Sequence, residues 1–505
     1  MKSDRHSFDY EPVTRSTGAR RNETTGASGD LRKSKLPITD RAAIKEALPV
    51  REESKSSHNN SPPEQPTREV KGADQIWAGR RGHGLSFAAL FLYTVLAYFR
   101  PYELSPSLAW TAWLPFSLAI VMLAIFVPTQ LGLEGRFTTR PREVNLLLFF
   151  SLIALISIPQ AISPLLAWNT FYSLFFKTAI MFIVMVNVLR SEFRLKAMIL
   201  LGIIVGCFMS ASALQDYVFG SLLNEGTRAK VSINNMFGEP NALALHLVTV
   251  IPLAVALFLS SRNILSKAIY VAATLLMLAG LFATFSRGGF LALVAAAVIL
   301  LWKLGRRNRM AVVAVLVLAI VAALFLAPGG YEFRLASIFD SSKDLVGSSA
   351  ARKEVLLRSI WVALGSPFLG VGIGNFPIVS IRGQVSHNSY TQVASEMGSV
   401  ALVLFLMFMI VPYRRLKQLQ EESAAEKRHS RFYYLSIGLQ ASIVGCMVGT
   451  FFLSVAYEGY IYSLVGYAIC LRGLYTLQPE GARQTSSWLI GNSQPSLTAT
   501  ALPAR

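Results

Sequence analysis

The sequence is poor in charge and in cysteine. Charged residues make up 15% of its 505 residues, against about 25% in an average soluble domain, whereas 53% are hydrophobic. Its three cysteines, Cys207, Cys446 and Cys470, lie in apolar runs, which excludes a disulfide framework and a zinc site built on cysteine spacing. A soluble enzyme is therefore a poor interpretation, and the composition indicates an integral membrane protein.

Acidic residues are scarcer than basic ones. The chain has 29 Asp and Glu against 48 Lys and Arg, a net charge of +19. We expect no nucleic-acid partner, because an apolar excess of this size needs a bilayer to cover it.

The composition changes near residue 84. Residues 1–83 mix 16 basic with 12 acidic residues and contain no apolar run long enough for a core. Such a segment cannot bury enough apolar surface to offset the entropy lost on ordering, so we predict a disordered cytoplasmic tail. No apolar stretch follows the early basic residues, so we do not interpret the segment as a signal peptide. Residues 84–477 are predicted to form a polytopic membrane domain, and 478–505 a flexible cytoplasmic C-terminal tail.

About twelve apolar runs follow the tail, and most approach the ~20 residues that a membrane-spanning helix needs. They are 84–99, 109–131, 144–162, 168–189, 196–217, 242–260, 267–285, 288–304, 310–327, 391–411, 432–454 and 459–477. We predict an all-α polytopic membrane protein with about twelve transmembrane helices.

The basic residues between these runs predict the orientation. With both termini in the cytoplasm, the basic clusters of the short loops all fall inside, as the positive-inside rule requires. Two longer loops, 218–241 and 328–390, then fall outside. The second precedes the tenth helix and carries a helix-like segment, 352–364, followed by a glycine-rich turn, 365–376.

His387 is the first candidate for chemistry. It stands in the polar run Ser386–Tyr390, where the long external loop re-enters the membrane. Such a cluster can cap a helix, or it can place an imidazole of near-neutral pKa at the membrane face for general-base work. Glu396, further into the same helix, either orients a base or pairs with an external arginine.

Arginines left outside, against the positive-inside trend, are the second candidates. Arg287 lies in the short hinge Phe285–Phe290 between two apolar helices. An arginine there is costly unless it snorkels to the interface or meets an anion, and its planar fork suits a phosphate. We find no metal-ligand cluster, no paired carboxylates typical of a glycosidase and no nucleotide-binding loop.

Several motifs together resemble the O-antigen ligase and polymerase superfamily. They are the Ser-Arg-Gly-Gly hinge at 286–289, the Gly-Glu-Pro-Asn segment ending at Asn241, and the long late external loop. Two spacing patterns of that family are also matched, Arg-x3-Leu by Arg352 and Leu356, and His-x10-Gly by His387 and Gly398. The resemblance covers roughly residues 85–475.

The resemblance implies a GT-C-like membrane glycosyltransferase of the bacterial inner membrane, without metal or cofactor. Its donor would be a glycan on undecaprenyl pyrophosphate, transferred on the external face with inversion. His387 would take the acceptor proton, and Arg352, Arg287 and Arg228 would bind the pyrophosphate. Asn388 and Asn241 would orient the base or hold sugar hydroxyls.

The acceptor stays open at this stage. A ligase would use the lipid A core, a polymerase a growing glycan, and an O-oligosaccharyltransferase a protein hydroxyl. A carrier or flippase for lipid-linked glycans is the alternative of another class, and a receptor or scaffold role through the tail is a third.

Overall fold

The computed structural model describes residues 82–104, 106–218, 239–304, 310, 313–314, 348–424 and 431–477. Within these ranges the chain is helical and contains no β-strand. Arg228 and nearly all of the predicted run 310–327 lie outside the described residues, as do 1–81 and 478–505.

The first half of the described chain contains eight α-helices and two helical variants. They are α1 (Gly84–Phe99), α2 (Pro101–Leu104), a 3-10 helix (Pro106–Trp113), α3 (Leu114–Glu134), α4 (Arg142–Ser157), α5 (Pro164–Thr170), a π-helical turn (Phe171–Phe176), α6 (Lys177–Val188), α7 (Glu192–Val218) and α8 (Pro240–Ser260).

The second half continues in the same way. Its elements are α9 (Ile264–Ala283), α10 (Arg287–Lys303), α11 (Ser348–Gly365), α12 (Phe376–Val379), a 3-10 turn (Ile381–Gly383), α13 (Ser389–Ala424), α14 (Arg431–Gly449), a 3-10 turn (Thr450–Phe452) and α15 (Gly459–Thr476). The predicted helix at 352–364 is thus α11, extended at both ends.

Eight helical stretches in the described ranges are long and apolar enough to cross a membrane. They are Gly84–Glu103, Ser107–Glu134, Pro164–Val188, Glu192–Val218, Pro240–Ser260, Ile264–Ala283, Ser389–Ala424 and Arg431–Phe452. The polytopic all-helical architecture is confirmed, whereas the count of twelve is not.

Three further apolar runs form helices without meeting those criteria. α4 and α10 have 16 and 17 residues, which is short for a full span. α15 has 18 residues, but its tyrosines and glycines lower its hydropathy. Eleven of the twelve predicted runs therefore correspond to described helices.

Helix α8 is the centre of the bundle. Every residue from Pro240 to Leu257 is buried, because α7, α9, α10 and α14 pack around it. Small residues of α14 face α8 and let the two backbones approach: a Cβ at Gly438 would lie 2.7 Å from that of Ala256. A helix buried on every side has no surface left for lipid.

One end of the bundle is rich in basic residues, and ion pairs connect its helices. Arg190, just before α7, pairs with Glu134 at the end of α3. Arg415 near the end of α13 lies 3.1 Å from Glu143 at the start of α4, and Arg431 lies 3.7 Å from Glu192. We call this end the basic end.

The junction with the predicted tail is anchored there as well. His83 is buried, and its Nδ1 lies 3.3 Å from Ser86 Oγ. The Arg194 guanidinium donates to the Gly82 carbonyl at 3.0 Å. Gly82 and His83, assigned by sequence to the tail, thus pack at the start of α1.

We expect Glu134→Gln to destabilise the bundle strongly. The side chains of Arg190 and Glu134 are 2% and 5% exposed, so losing the carboxylate leaves a buried cation uncompensated, at a cost of about 3–5 kcal/mol. Thermal unfolding in detergent would measure the effect. The control is Glu421→Gln, whose pair with Lys417 is 57% to 63% exposed and contributes at most about 1 kcal/mol. Equal losses for both variants would contradict this view of the basic end.

Candidate functional site

Three chain segments and helix α11 meet at the end of the bundle opposite the basic end. The segments are the start of α8, the hinge before α10 and the run Ser386–Tyr390 before α13. Ser286 of the hinge donates to the Asn241 side-chain oxygen of α8 at 2.9 Å. His387 interacts electrostatically with Arg352 of α11 and with Glu239 at the α8 start.

Asn241 connects α8 to α10. Its side-chain nitrogen donates to Glu239 Oε1 at 2.9 Å while its oxygen accepts from Ser286. Ser286 in turn caps α10, since its hydroxyl accepts from the Gly289 N–H. Both functional groups of the amide are therefore used to hold the hinge against α8.

The hinge places Arg287 at the first position of α10, where it is half-buried. The glycines after it are needed for packing. A Cβ at Gly289 would lie 2.6 Å from that of Ala244, and one at Gly288 would lie 2.8 Å from that of Phe452. The Ser-Arg-Gly-Gly motif thus lets α10 begin in close contact with α8.

Two non-glycine residues beside the site have left-handed backbone conformations. Phe285 and His387 both have φ of 51°. This region is unfavourable for residues with a Cβ, and such strain occurs most often at functional sites. At both positions the chain turns sharply from one element into the next helix.

The run Ser386–Tyr390 is held by hydrogen bonds to the segment before α15. Ser389 Oγ donates to the Leu453 carbonyl at 2.6 Å, and the Ser386 and Ser454 hydroxyls lie 2.8 Å apart. Tyr390 OH donates to the Met447 carbonyl of α14 at 2.7 Å. The backbone that carries His387 is therefore anchored on both sides.

Asn388, not His387, caps α13. The Asn388 side-chain oxygen accepts from the N–H groups of Tyr390 and Thr391, at 2.9 and 3.0 Å. Among the described residues the imidazole of His387 has no hydrogen-bond partner, and it is half-buried. The two roles expected of this polar run, helix cap and free imidazole, fall on adjacent residues.

The surroundings of His387 lower its pKa below the usual 6.5. Burial is the largest cause, because it disfavours the charged imidazolium, and the Arg352 cation acts in the same direction. The Glu239 carboxylate opposes both. The imidazole is therefore neutral at pH 7, the state that a proton acceptor needs.

Arg352 projects from α11 and is half-buried. Val355 and Ser359, one and two turns further along, are buried, whereas Lys353 and Glu354, directly after Arg352, are exposed. The helix therefore presents one packed face and one solvated face, and Arg352 lies at the boundary between them.

The structure also brings two carboxylates together, Glu239 and Glu458, which the sequence did not indicate as a pair. Glu458 precedes α15, and its pKa is raised to about 7 by burial first and by the nearby Glu239 second. Glu239 was visible in the Gly-Glu-Pro-Asn segment but had no assigned role. In the sequence, Glu458 stands out only by its position directly before the apolar run 459–477.

Glu396 has partners other than those predicted. Tyr457 OH and the Gly374 N–H both donate to its Oε2, at 2.6 and 2.8 Å, and it is buried. Neither His387 nor an arginine is among its hydrogen-bond or ion-pair partners within the described residues. Glu396 instead holds the glycine-rich turn against α13, because its carboxylate binds that turn from inside the helix.

Gly398, the last residue of the His-x10-Gly pattern, also allows the glycine-rich turn to pack against α13. It interrupts α13 with φ of 83°, and a Cβ there would overlap the Phe368 carbonyl. The turn crosses the helix at this point, and the Ser399 N–H donates to the Pro367 carbonyl at 2.7 Å. Only glycine fits both the conformation and the space.

The site places a half-buried imidazole beside a cation. His387, Arg352, Glu239 and Asn241 come together, and Arg287 follows directly on Ser286. In the described ranges, no three His, Cys, Asp or Glu side chains form a group that could hold a metal ion.

Replacing Asn388 tests whether this residue, and not His387, caps α13. We expect Asn388→Ala to cost about 1 kcal/mol of stability, since two N–H groups lose their acceptor, and Asn388→Asp to keep most of it. Thermal unfolding of the two variants would measure this. An alanine variant as stable as the parent would show that Asn388 does not cap α13.

Comparison with known families agrees with the motifs. The family model described as O-antigen ligase matches residues 272–406, a stretch that contains Arg287, Arg352, His387 and Gly398. No curated protein matches the chain. The resemblance to the O-antigen ligase superfamily is confirmed over that stretch.

Proposed function

We propose that this O-antigen ligase-type membrane protein transfers a glycan from undecaprenyl pyrophosphate to an acceptor hydroxyl, in one inverting, metal-independent displacement. The observation that carries the proposal is the half-buried imidazole of His387 beside the Arg352 cation, within the segment that matches the family. The reaction needs a base for the acceptor and positive charge for the leaving group, and these residues supply both.

The proposed step balances as follows. The acceptor oxygen attacks the anomeric carbon of the first sugar while His387 takes the hydroxyl proton. The bond between that carbon and the pyrophosphate oxygen breaks, and its electron pair stays on the pyrophosphate. The proton on His387 then passes to water, and undecaprenyl pyrophosphate leaves.

Arginine chemistry suits the leaving group. The pyrophosphate gains negative charge as the bond breaks, and fixed guanidinium groups stabilise that charge in a site with little water. Arg352 and Arg287 are the described candidates, and Arg228 is a third that lies outside the described residues. Asn241, whose amide is committed to Glu239 and Ser286, would act by positioning the hinge that carries Arg287.

We place the acceptor on the outer face of the bacterial inner membrane. The support is the charge asymmetry of the bundle, since the basic end belongs in the cytoplasm by the positive-inside rule and the site lies at the other end. Lipid A core is the acceptor that we favour, because the matching family is described as O-antigen ligase.

Removing the base or the cation is expected to stop transfer. His387→Ala should lower the rate about a hundredfold or more, and Arg352→Ala about a hundredfold. The measurement is covalent glycan transfer by purified protein in vesicles that contain the lipid-linked donor and a lipid A core acceptor. The control is Lys353→Ala, which removes an exposed cation beside Arg352.

Full transfer by both variants at normal expression would refute the assignment. Donor movement across the vesicle without a covalent product would instead indicate a carrier.

The pH profile should respond in opposite directions to two charge changes. His387 works when deprotonated, so transfer falls as the pH drops through its lowered pKa, below 6.5. Arg352→Gln removes a cation that lowers this pKa and should move the acidic midpoint to higher pH. Glu239→Gln removes an anion that raises it and should move the midpoint to lower pH.

Rates normalised to each variant's plateau would separate these shifts from losses of binding. Shifts of the same sign, or no shift in either variant, would contradict the proposed role of His387.

A further inference from the structure

A pocket of about 740 Å3 opens at the basic end of the bundle. It lies beside residues 257–261 at the end of α8, while the candidate site lies beside the start of that helix. At 1.5 Å per residue the two are about 30 Å apart, so the pocket is no part of the site.

The polar rim of the pocket is positively charged. Lys196, Arg262 and Arg431 line it, and Glu192 is the one acidic residue among its lining residues. The pair between Arg431 and Glu192 is long, at 3.7 Å, with side chains 66% and 48% exposed, so it restrains neither partner strongly. An anion entering the pocket therefore meets a net positive charge.

Three long helices also begin at this rim. α7 starts at Glu192, α9 follows Asn263 and α14 starts at Arg431, and all three residues line the pocket. Helix N-termini carry partial positive charge and N–H groups without helical partners. Their partial positive charge adds to that of Lys196, Arg262 and Arg431, although these three cations favour an anion by themselves.

The inner wall of the pocket is apolar. Buried side chains from four helices form it: Leu195, Leu257, Phe432, Leu435, Leu471 and Leu474. Phe193 extends this wall outward and is 75% exposed. Because four candidate membrane spans have their ends here, both wall and rim lie where acyl chains meet headgroups.

We propose that this pocket binds an anionic phospholipid, with its phosphate on Lys196 and Arg262 and its acyl chains against the apolar wall and Phe193. The combination of a cationic rim and an apolar wall at the end of membrane spans matches the two halves of such a lipid. A free phosphate would satisfy the rim but would leave the wall uncovered. The proposal is independent of the reaction at the other end.

Lipid exchange into purified, delipidated full-length protein tests the rim. Phosphatidylglycerol retention from mixed micelles with phosphatidylcholine would be measured by native mass spectrometry. Lys196→Gln with Arg262→Gln should weaken phosphatidylglycerol binding about tenfold or more, since each surface cation adds to the attraction for an anionic headgroup. Phosphatidylcholine binding should stay unchanged.

The matched control also removes two positive charges from the basic end, but at residues outside the pocket. Arg142→Gln with Arg414→Gln should change phosphatidylglycerol binding by less than about twofold, because neither residue lines the pocket. Equal weakening by both double variants would overturn the proposal and indicate only general attraction to the basic end.

A second pair of variants tests the wall. Phe193→Ser should weaken phosphatidylglycerol binding, whereas Ile264→Ser, at a residue 79% exposed but outside the pocket lining, should not. Soluble glycerol phosphate is the remaining probe. If it binds as tightly as phosphatidylglycerol, or if Phe193→Ser has no effect, the site binds free phosphate and the lipid assignment is wrong.

Discussion

The complete burial of α8 is the constraint on which the rest of the structure depends. A helix with no exposed side for 18 consecutive residues needs neighbours all around, and α7, α9, α10 and α14 supply them. Its central polar side chains, His246 and Thr249, are buried, so its groups can reach solvent or a ligand only near its ends. Asn241 lies in the first turn and Ser260 in the last, so the candidate site and the basic pocket lie at opposite ends of one helix.

The candidate site is assembled from residues far apart in the chain. Glu239, Arg352, His387 and Glu458 come from four segments that only helix packing brings together. Rigid neighbours hold them, since Asn241 and Ser286 fix the hinge and Ser386 and Ser389 fix the loop. This arrangement lets a half-buried imidazole remain neutral between a cation and a carboxylate, which is the basis of the proposed chemistry.

The sequence predicted the apolar helices well, because length and hydropathy are local properties. It also singled out His387 and Arg352, which the structure brings close together, and their roles stay predictions. It could not separate the roles of His387 and Asn388, because a cap depends on backbone geometry. The sequence did not indicate that Glu396 binds Tyr457 or that Glu458 lies near Glu239. Both contacts join distant parts of the chain, and only tertiary packing creates them.

The central claim is a single displacement in which His387 activates the acceptor and arginines receive the leaving group. Its most direct test is the anomeric configuration of the new glycosidic bond, determined by NMR on the product of purified protein and a donor of known configuration. Direct attack by the acceptor predicts inversion in every product molecule. Retention would contradict the account, because it needs a covalent glycosyl intermediate and a second displacement.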